Sequence, residues 1–286
     1  MRSIAGTARP GRLLIHRHSL PVRLTHWLNV ICLGFLLLSG LQIFNAHPAL
    51  YWGQYGADAD TPFIAIGADD SGDDIKGVTR IGGFSLTTTG VLGASDVDGE
   101  LTARAFPAWL TIPSYQDLAT GRRWHFFFAW LFVLNGLTYL VYGLVGGHFR
   151  RDLAPSADQL APRHILHEIA DHARLRFAKG EAARRYNVLQ KLAYLAVIFG
   201  LLPLMVATGL TMSPGIDAAA PWLLDVFGGR QSARTIHFLT ASTLVLFVAV
   251  HLAMVLASGL WNNLRSMITG RYAIATDEPA SPGARP

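Results

Sequence analysis

The stretch TIHFLTASTLVLFVAVHLAMVLASGL, residues 235–260, contains no Asp, Glu, Lys or Arg. A bilayer core about 30 Å thick is crossed by about 20 apolar helical residues, so this stretch is long enough to span it. Residues 24–45, 124–148 and 192–213 have the same property. With 51% hydrophobic and only 15% charged residues, the chain is too apolar for an ordinary soluble domain. The pattern predicts an all-α membrane protein, a bundle of four transmembrane helices.

Two of the four spans have features that could argue against them. The first lies near the N-terminus, but a signal peptide has an apolar core of about 7 to 15 residues, whereas this run is longer and includes Trp27 and Asn29. We therefore expect a retained helix. The third contains Pro203, which membrane helices tolerate because neighbouring helices satisfy the freed backbone groups.

The basic residues predict the orientation of the bundle. Lys and Arg accumulate on the cytoplasmic side of membrane proteins, and 17 of the 24 lie in the N-terminal tail 1–23, the loop 149–191 and the tail 261–286. We expect these segments, and so both termini, in the cytoplasm, and the loops 46–123 and 214–234 in the periplasm. The 17 are Arg2, Arg9, Arg12, Arg17, Arg23, Arg150, Arg151, Arg163, Arg174, Arg176, Lys179, Arg184, Arg185, Lys191, Arg265, Arg271 and Arg285.

The loop 46–123 is too long to be a mere connector. It is rich in Gly, Thr and Asp, and it contains a strand-like piece from Gly83 to Leu92. Its acidic residues, which include Asp69, Asp70, Asp73 and Asp74, outnumber its basic ones. The sequence therefore predicts a structured periplasmic loop with a net negative charge.

Cysteine chemistry and several enzyme classes are excluded by the residue inventory. The single cysteine, Cys32, rules out a disulfide framework, a four-cysteine metal site and covalent c-type haem attachment. The chain also lacks the P-loop, G-x-G-x-x-G, H-E-x-x-H and G-x-S-x-G patterns. If the protein binds a metal, its eleven histidines must supply the ligands.

Two histidines share one face of the fourth span at different depths. His237 and His251 are fourteen residues apart, which on an α-helix corresponds to about 40° of rotation and about 21 Å of rise. An imidazole inside hydrocarbon is costly and is usually functional when it persists. This spacing is expected when one helix supplies an axial ligand to each of two haems.

His26 and His125 complete the two pairs. His26 lies at the cytoplasmic start of the first span and His125 at the periplasmic start of the second. Depth then pairs His26 with His251 at an inner haem, and His125 with His237 at an outer haem. The opposite pairing would stretch each pair across most of the bilayer, which one axially ligated iron cannot do.

Arginines and glycines near these histidines fit the same prediction. Arg23, Arg122 and Arg234 each precede a histidine by three residues and are expected to reach haem propionates from the membrane interface. Gly40 and Gly136 lie fourteen and eleven residues after His26 and His125, on the faces where the other haem should pass. Glycine at these positions would leave room for a porphyrin edge.

The remaining histidines are weaker candidates. His164, His167 and His172 lie on a charged loop, within a predicted amphipathic helix from His164 to Phe177, and their spacing does not suit a zincin. The others are interpreted as interfacial residues, although His148 could lie near a quinone or a propionate. These interfacial histidines are His16, His18, His47 and His148.

Three motifs together resemble a known family. They are Arg23-Leu-Thr-His-Trp-Leu-Asn29, Gly121-Arg-Arg-Trp-His-Phe126, and Arg234-x-x-His237 followed by His251. They resemble the bacterial cytochrome b561 and nickel-hydrogenase b-type cytochrome family, and the long outer loop is similar to that of thiosulfate reductase cytochrome b subunits. The resemblance implies two b haems on the four histidines, and electron exchange between a quinone pool and a periplasmic partner, often a molybdopterin oxidoreductase.

The sequence therefore predicts an electron-transport subunit of a respiratory oxidoreductase complex in the bacterial inner membrane. The outer haem would serve the periplasmic subunit and the inner haem the quinone, for which Arg23, Asn29 and Asn262 are candidate contacts because they lie at the inner interface. One alternative is a stand-alone quinone reductase similar to smaller b561 proteins. Another is a haem-free transporter or scaffold, which would need buried Asp or Glu in the spans, and the spans contain neither.

Overall fold

A computed structural model describes residues 10–57, 60–69, 72, 74–174, 176 and 186–279. Within it, residues 10–27, 138–198 and 246–279 form one compact unit and residues 28–137 and 199–245 form a second. We call them the first and the second unit. Several residues used in the charge argument lie outside the described residues: Arg2, Arg9, Asp70, Asp73, Lys179, Arg184, Arg185 and Arg285.

Most of the described chain is helical. In chain order the α-helices are α1 Leu20–Asn45, α2 Leu118–Val145, α3 Pro162–Ala173, α4 Val188–Ala196, α5 Leu202–Thr211, α6 Pro214–Ala219, α7 Trp222–Val226, α8 Arg230–Ala257 and α9 Leu260–Thr269. Four helical stretches are long and apolar enough to cross a membrane: Leu20–Asn45, Leu118–Val145, Val188–Thr211 and Arg230–Ala257.

Each of these stretches overlaps one predicted span but begins four to six residues before it. The predicted starts follow the last charged residue before each apolar run, whereas the helix continues through the charged turn at the interface, as at Arg23 in α1 and Arg234 in α8. Spans two to four also end two or three residues earlier than predicted.

A π-helical turn interrupts the third span. It covers Val197–Leu201 and is followed by α5, whose first turn contains Pro203. Proline lacks the N–H that a continuous α-helix would use, and a π turn is a common way to absorb such an irregularity. The π turn therefore explains how the third span accommodates Pro203.

The faces of the spans that point away from the protein are apolar. Large side chains such as Leu134, Val141, Leu246 and Leu252 are more than half exposed. A soluble protein rarely exposes contiguous apolar faces of this kind, whereas a lipid-facing helix requires them.

The long loop between α1 and α2 is built on β-strands. A four-stranded antiparallel sheet has the order β2-β3-β4-β5, and a separate hairpin joins β6 to β7. The strands are β2 Ala49–Leu50, β3 Ile64–Asp69, β4 Lys76–Ile81, β5 Phe84–Thr87, β6 Ala94–Val97 and β7 Glu100–Ala103. The strand-like piece expected from Gly83 to Leu92 contains β5. This sheet packs against the end of α1 through buried residues that include Phe44, Leu50, Ile66 and Phe106.

A buried arginine organises the rest of this loop. Arg104 is 5% exposed, and its guanidinium donates to the carbonyls of Phe106 and Ser114 and to the Thr111 hydroxyl at 2.8–3.1 Å. Burial lowers the pKa of Arg104 from its usual value, but hydrogen bonds on every side compensate for its desolvation. One side chain thus ties together the segment that leads to α2.

The two ends of the described chain form a ribbon that the all-α prediction did not include. Strand β1 Pro10–His16 pairs antiparallel with β8 Arg271–Pro279, with His16 opposite Arg271. In the same unit, Trp27 Nε1 donates to the Met267 carbonyl at 3.0 Å, and Arg23 donates to the Ile268 carbonyl. The start of α1 is therefore fastened to α9.

The loop 149–191 contains the predicted surface helix. Helix α3 begins two residues before the predicted start at His164 and ends at Ala173. The predicted end at Phe177 lies outside the described residues.

Candidate functional site

The second unit brings His125 of α2 and His237 of α8 together. Their ring centres lie 6.4 Å apart, and the rings are inclined at 62°. We call this the outer pair. It is one of the two pairs that the depth argument predicted.

The first unit brings His26 of α1 and His251 of α8 together in the same way. Their ring centres lie 6.5 Å apart with an angle of 56°. Phe247, one turn before His251, stacks on its ring at 6.0 Å. We call this the inner pair.

The separation within each pair suits one metal ion between two imidazoles. A metal–nitrogen bond is about 2.0 Å long, and a ring centre lies roughly 1.1 Å behind its nitrogen, so a linear arrangement puts the centres roughly 6.2 Å apart. The observed 6.4 and 6.5 Å agree with this value. Direct stacking or a direct hydrogen bond between the rings would bring them closer.

A hydroxyl group fixes each imidazole of the outer pair. Ser39 Oγ lies 3.0 Å from His125 Nδ1, and Thr208 Oγ1 lies 3.0 Å from His237 Nδ1. Each hydroxyl donates its own hydrogen to a carbonyl one turn earlier in its helix, at 2.6 and 2.7 Å, so its oxygen must accept from Nδ1–H. This tautomer leaves the Nε2 lone pair free to bind a metal.

A glycine follows each of these hydroxyl residues and makes room for the same ring. A Cβ at Gly40 would lie 3.3 Å from Cε1 of His125, and a Cβ at Gly209 would lie 3.3 Å from Cε1 of His237. A Cβ at Gly136 would meet no atom within 4 Å. Gly40 therefore lies at the outer pair, as predicted, but its direct contact is a histidine ring.

Ser39, Thr208 and Gly209 are site residues that the sequence analysis missed. The available signal was a hydroxyl residue followed by glycine, once in the first span and once in the third. Ser39-Gly40 and Thr208-Gly209 play equivalent parts toward the two histidines. Both dipeptides lie on helices that supply no histidine to the outer pair, α1 and α5.

The inner pair is held differently. His26 Nδ1 is buried and, among the described residues, has no hydrogen-bond partner. An unpaired buried polar atom costs about 1 to 3 kcal/mol. Such a nitrogen is tolerated where a bound group satisfies it, so His26 Nδ1 remains available to a cofactor.

The arginines predicted to bind propionates are mostly engaged with the backbone. Arg234 donates to the carbonyls of Ala49, at 2.9 Å, and His47. Arg23 donates to Ile268, and Arg122 is exposed with its guanidinium carbon 5.5 Å from the ring centre of Phe126. A guanidinium has five N–H donors, so each of these arginines has further N–H groups that could bind a propionate. The propionate role stays a prediction.

The residues suggested for quinone binding each have a protein partner. Asn29 accepts from Asn135 Nδ2 at 2.6 Å, and the Asn262 amide bonds both backbone groups of Ala273 at 2.8 and 2.9 Å. Arg23 is also engaged, and the quinone role of these three residues stays a prediction.

The histidines of α3 make local contacts. His167 Nδ1 lies 3.2 Å from an Asp171 carboxylate oxygen, and His172 bonds the Asn187 side chain at 3.1 Å. In the part of the chain that the structure describes, no three His, Cys, Asp or Glu side chains group as a metal site. A haem needs only two protein ligands, so the two pairs are the groups that fit a metal cofactor.

Four apolar helices and two facing histidine pairs define a membrane protein suited to binding haem. Residues 17–270 match the family described as prokaryotic cytochrome b561. A protein of Azospira oryzae, named as a proposed YedZ1 subunit of protein-methionine-sulfoxide reductase, is 26% identical over 234 residues, or 82% of this chain and 87% of that protein. No solved structure matches this chain.

Because the family match extends over most of its length, this chain belongs to the prokaryotic cytochrome b561 family. It is a multi-pass protein of the bacterial inner membrane that binds haem and transfers electrons. The predicted family and location are thereby confirmed.

If the outer pair binds a haem, replacing Ser39 or Thr208 should loosen that haem without unfolding the protein. Loss of the group that orients a metal-binding histidine typically weakens metal affinity roughly 10- to 100-fold, so Ser39→Ala and Thr208→Ala should lose haem to a competing apo-protein faster than the unmodified chain. Ser242→Ala and Thr243→Ala are matched controls, because these exposed hydroxyls donate to carbonyls of their own helix, those of Phe238 and Leu239. Equal haem loss from all four variants would contradict an orienting role.

Proposed function

We propose that the protein is a di-haem b-type cytochrome subunit that carries electrons between the quinone pool and a periplasmic redox partner. The observation that carries this proposal is the presence of two histidine pairs, each at a ring separation suited to one iron. His125 and His237 would hold the outer haem, and His26 and His251 the inner haem.

Haem with two histidine ligands supplies one-electron transfer and has no open axial position for oxygen activation. The residues of this chain would supply position and environment. The hydroxyls of Ser39 and Thr208 would keep the outer imidazoles in one tautomer and orientation. The apolar helices would exclude water from the electron path.

The periplasmic partner would dock on the loop 46–123. The first part of this loop is fastened to the start of α8: Thr235 Oγ1 donates to the Tyr51 carbonyl at 2.6 Å, and Arg234 donates to the carbonyl of Ala49. These residues come directly before His237, so the loop is fixed on the helix that carries an outer ligand. Trp52 and Trp109 are more than half exposed on this loop, and aromatic side chains are enriched at protein interfaces.

We propose a periplasmic oxidoreductase subunit, of molybdopterin type, as this partner. The support is the resemblance to cytochrome b subunits found beside such enzymes and the name of the Azospira oryzae relative, which describes a reductase subunit. In this arrangement both termini lie in the cytoplasm, and the inner haem exchanges electrons with quinone. A stand-alone quinone reductase remains the alternative, and turnover by the isolated chain would favour it. A haem-free transporter does not agree with the family.

The experiment that tests the proposal is a reduced-minus-oxidised spectrum of the purified chain combined with a haem assay. We expect b-type bands and about two haems per chain, because each histidine pair supplies both axial ligands of one iron. About one haem per chain would reject the di-haem arrangement, and a colourless protein would reject the electron-transfer role.

A further inference from the structure

A buried histidine and a carboxylate form a pair just after α2. His148 is 8% exposed, and its Nδ1 lies 2.7 Å from Asp152 Oδ2. A π-helical turn, Phe149–Leu153, follows His148 and places Asp152 next to its ring. The Asp152 side chain is 38% exposed, so this pair joins the protein interior to water.

Other polar and aromatic groups surround His148. Its ring centre lies 6.0 Å from that of Tyr139 and 5.8 Å from that of Tyr142. The Tyr142 hydroxyl is 2.7 Å from Ser19 Oγ. Nearby, the Tyr186 hydroxyl is 3.2 Å from His18 Nδ1. We name these residues the inner polar cluster: His18, Ser19, Tyr139, Tyr142, His148, Asp152 and Tyr186.

The cluster reaches the start of the helix that carries His26. Ser19, which bonds Tyr142, comes directly before α1, and His26 lies seven residues further on, roughly 10 Å of helical rise. Burial is the main cause that lowers the pKa of His18 to about 4. The charges of Arg17, His26 and His148 lower this pKa further.

The chemistry of the His148–Asp152 pair is that of a proton acceptor. The carboxylate accepts a hydrogen bond from Nδ1–H, which leaves Nε2 as the basic nitrogen of the ring. The ring can accept a second proton at Nε2 and pass the proton on Nδ1 to the adjacent carboxylate. From there the proton can leave through Asp152, whose side chain is 38% exposed. The aromatic rings beside His148 offer flat apolar surfaces to a planar ligand.

We propose that His148, oriented by Asp152, accepts the protons of a quinol that is oxidised beside the inner histidine pair. This inference rests on the proposed function, which supplies the electron acceptor. Oxidation of one quinol breaks two O–H bonds and yields the quinone, two protons and two electrons. The haem that His26 and His251 would hold would supply the one-electron acceptor for these two electrons. Each proton passes to His148 Nε2 and then, by way of Asp152, to water. Quinone reduction runs through the same groups in reverse.

A proton acceptor is needed here because an unpaired charge is costly in an apolar medium. The four predicted spans contain no Asp or Glu. Asp152 lies just after the second span and bonds the buried His148. It therefore offers the proton an acidic side chain, which the spans do not contain.

The test uses the full-length, haem-loaded chain in lipid nanodiscs, with decylubiquinol as the reductant in stopped flow. Removing a general base typically lowers a rate roughly 10²- to 10⁴-fold, so His148→Gln should slow haem reduction by at least the lower figure. Asp152→Asn should slow it roughly 10-fold or more, because the ring loses its orienting partner. Asp152→Glu should restore part of the rate. Dithionite should still reduce the haems fully in every variant.

Asp171→Asn is the matched control. His167 and Asp171 are also four residues apart and lie 3.2 Å apart, but the His167 side chain is 75% exposed. This variant should react with quinol like the unmodified chain. A binding measurement adds a readout that does not involve turnover: the dissociation constant of a redox-inert hydroxyquinoline N-oxide should rise roughly 10-fold or more in His148→Gln, since a hydrogen bond to the ligand is lost.

Two results would overturn the inference. If His148→Gln and Asp152→Asn react with quinol and bind the inhibitor like Asp171→Asn, the pair serves only to end α2. If the unmodified chain carries two dithionite-reducible haems that quinol does not reduce, the quinone role fails together with the inference. A chain without haem would instead refute the proposed function at its first step, and the haem assay separates these cases.

Discussion

Alanine at His125 or at His237 should remove the same haem, and alanine at His26 or His251 should remove the other. Each substitution takes one of two axial ligands from a pair whose ring centres lie 6.4 or 6.5 Å apart. We expect the haem content to fall from about two to about one per chain, because a b-type haem is retained by its ligands and not by covalent attachment.

Redox titration followed by optical spectroscopy would show which component each variant has lost. His164→Ala is a suitable control, because His164 lies on α3 and is partly exposed, and this variant should keep both components. Loss of different components from His125→Ala and His237→Ala would show that the histidines are paired in another way. Likewise, His26→Ala and His251→Ala should both lose the same spectral component.

Loss of the inner haem should stop reduction by quinol while leaving the outer haem reducible by dithionite. The proposed path begins at the inner pair, so His26→Ala and His251→Ala should leave quinol without an electron acceptor at that surface. In His125→Ala and His237→Ala, quinol should still reduce the remaining haem, because that haem is the inner one. Stopped-flow absorbance with decylubiquinol measures both outcomes.

Dithionite provides the control for this experiment, because it reduces the remaining haem in every variant that has folded. A fast quinol reaction in the inner variants would place the quinone at the outer pair. In that event the orientation of the subunit within its complex would have to be reversed.

The spans could be predicted because long uncharged runs have few alternatives in a membrane protein. Their ends could not, since α2 extends six residues before the predicted start, through Arg122 and Arg123, and the charge pattern does not show where backbone hydrogen bonding begins. The ribbon of β1 and β8 was missed for a different reason. The strands that pair in it are more than 250 residues apart, and each is too short to show a clear alternation by itself.

The four histidines could be predicted because depth and helical rotation follow directly from residue spacing. What spacing cannot show is which side chain on a neighbouring helix faces a given ring. Ser39 lies 86 positions from His125 and Thr208 lies 29 from His237, and hydroxyl residues are common in membrane helices. The same limit applies to Asn29, whose partner Asn135 is 106 residues away. Only the packed structure identifies these contacts.

The bond between Trp27 and Met267 joins residues 240 positions apart, which has a consequence for biogenesis. At about 5 to 20 residues per second, the ribosome makes the second partner roughly 12 to 50 s after the first. For most of this interval His26 has been made while His251 and α9 have not. On the proposed arrangement, a haem held by both His26 and His251 could be retained only after residue 251 has been made, and a nascent chain stalled earlier would present one of the two histidines.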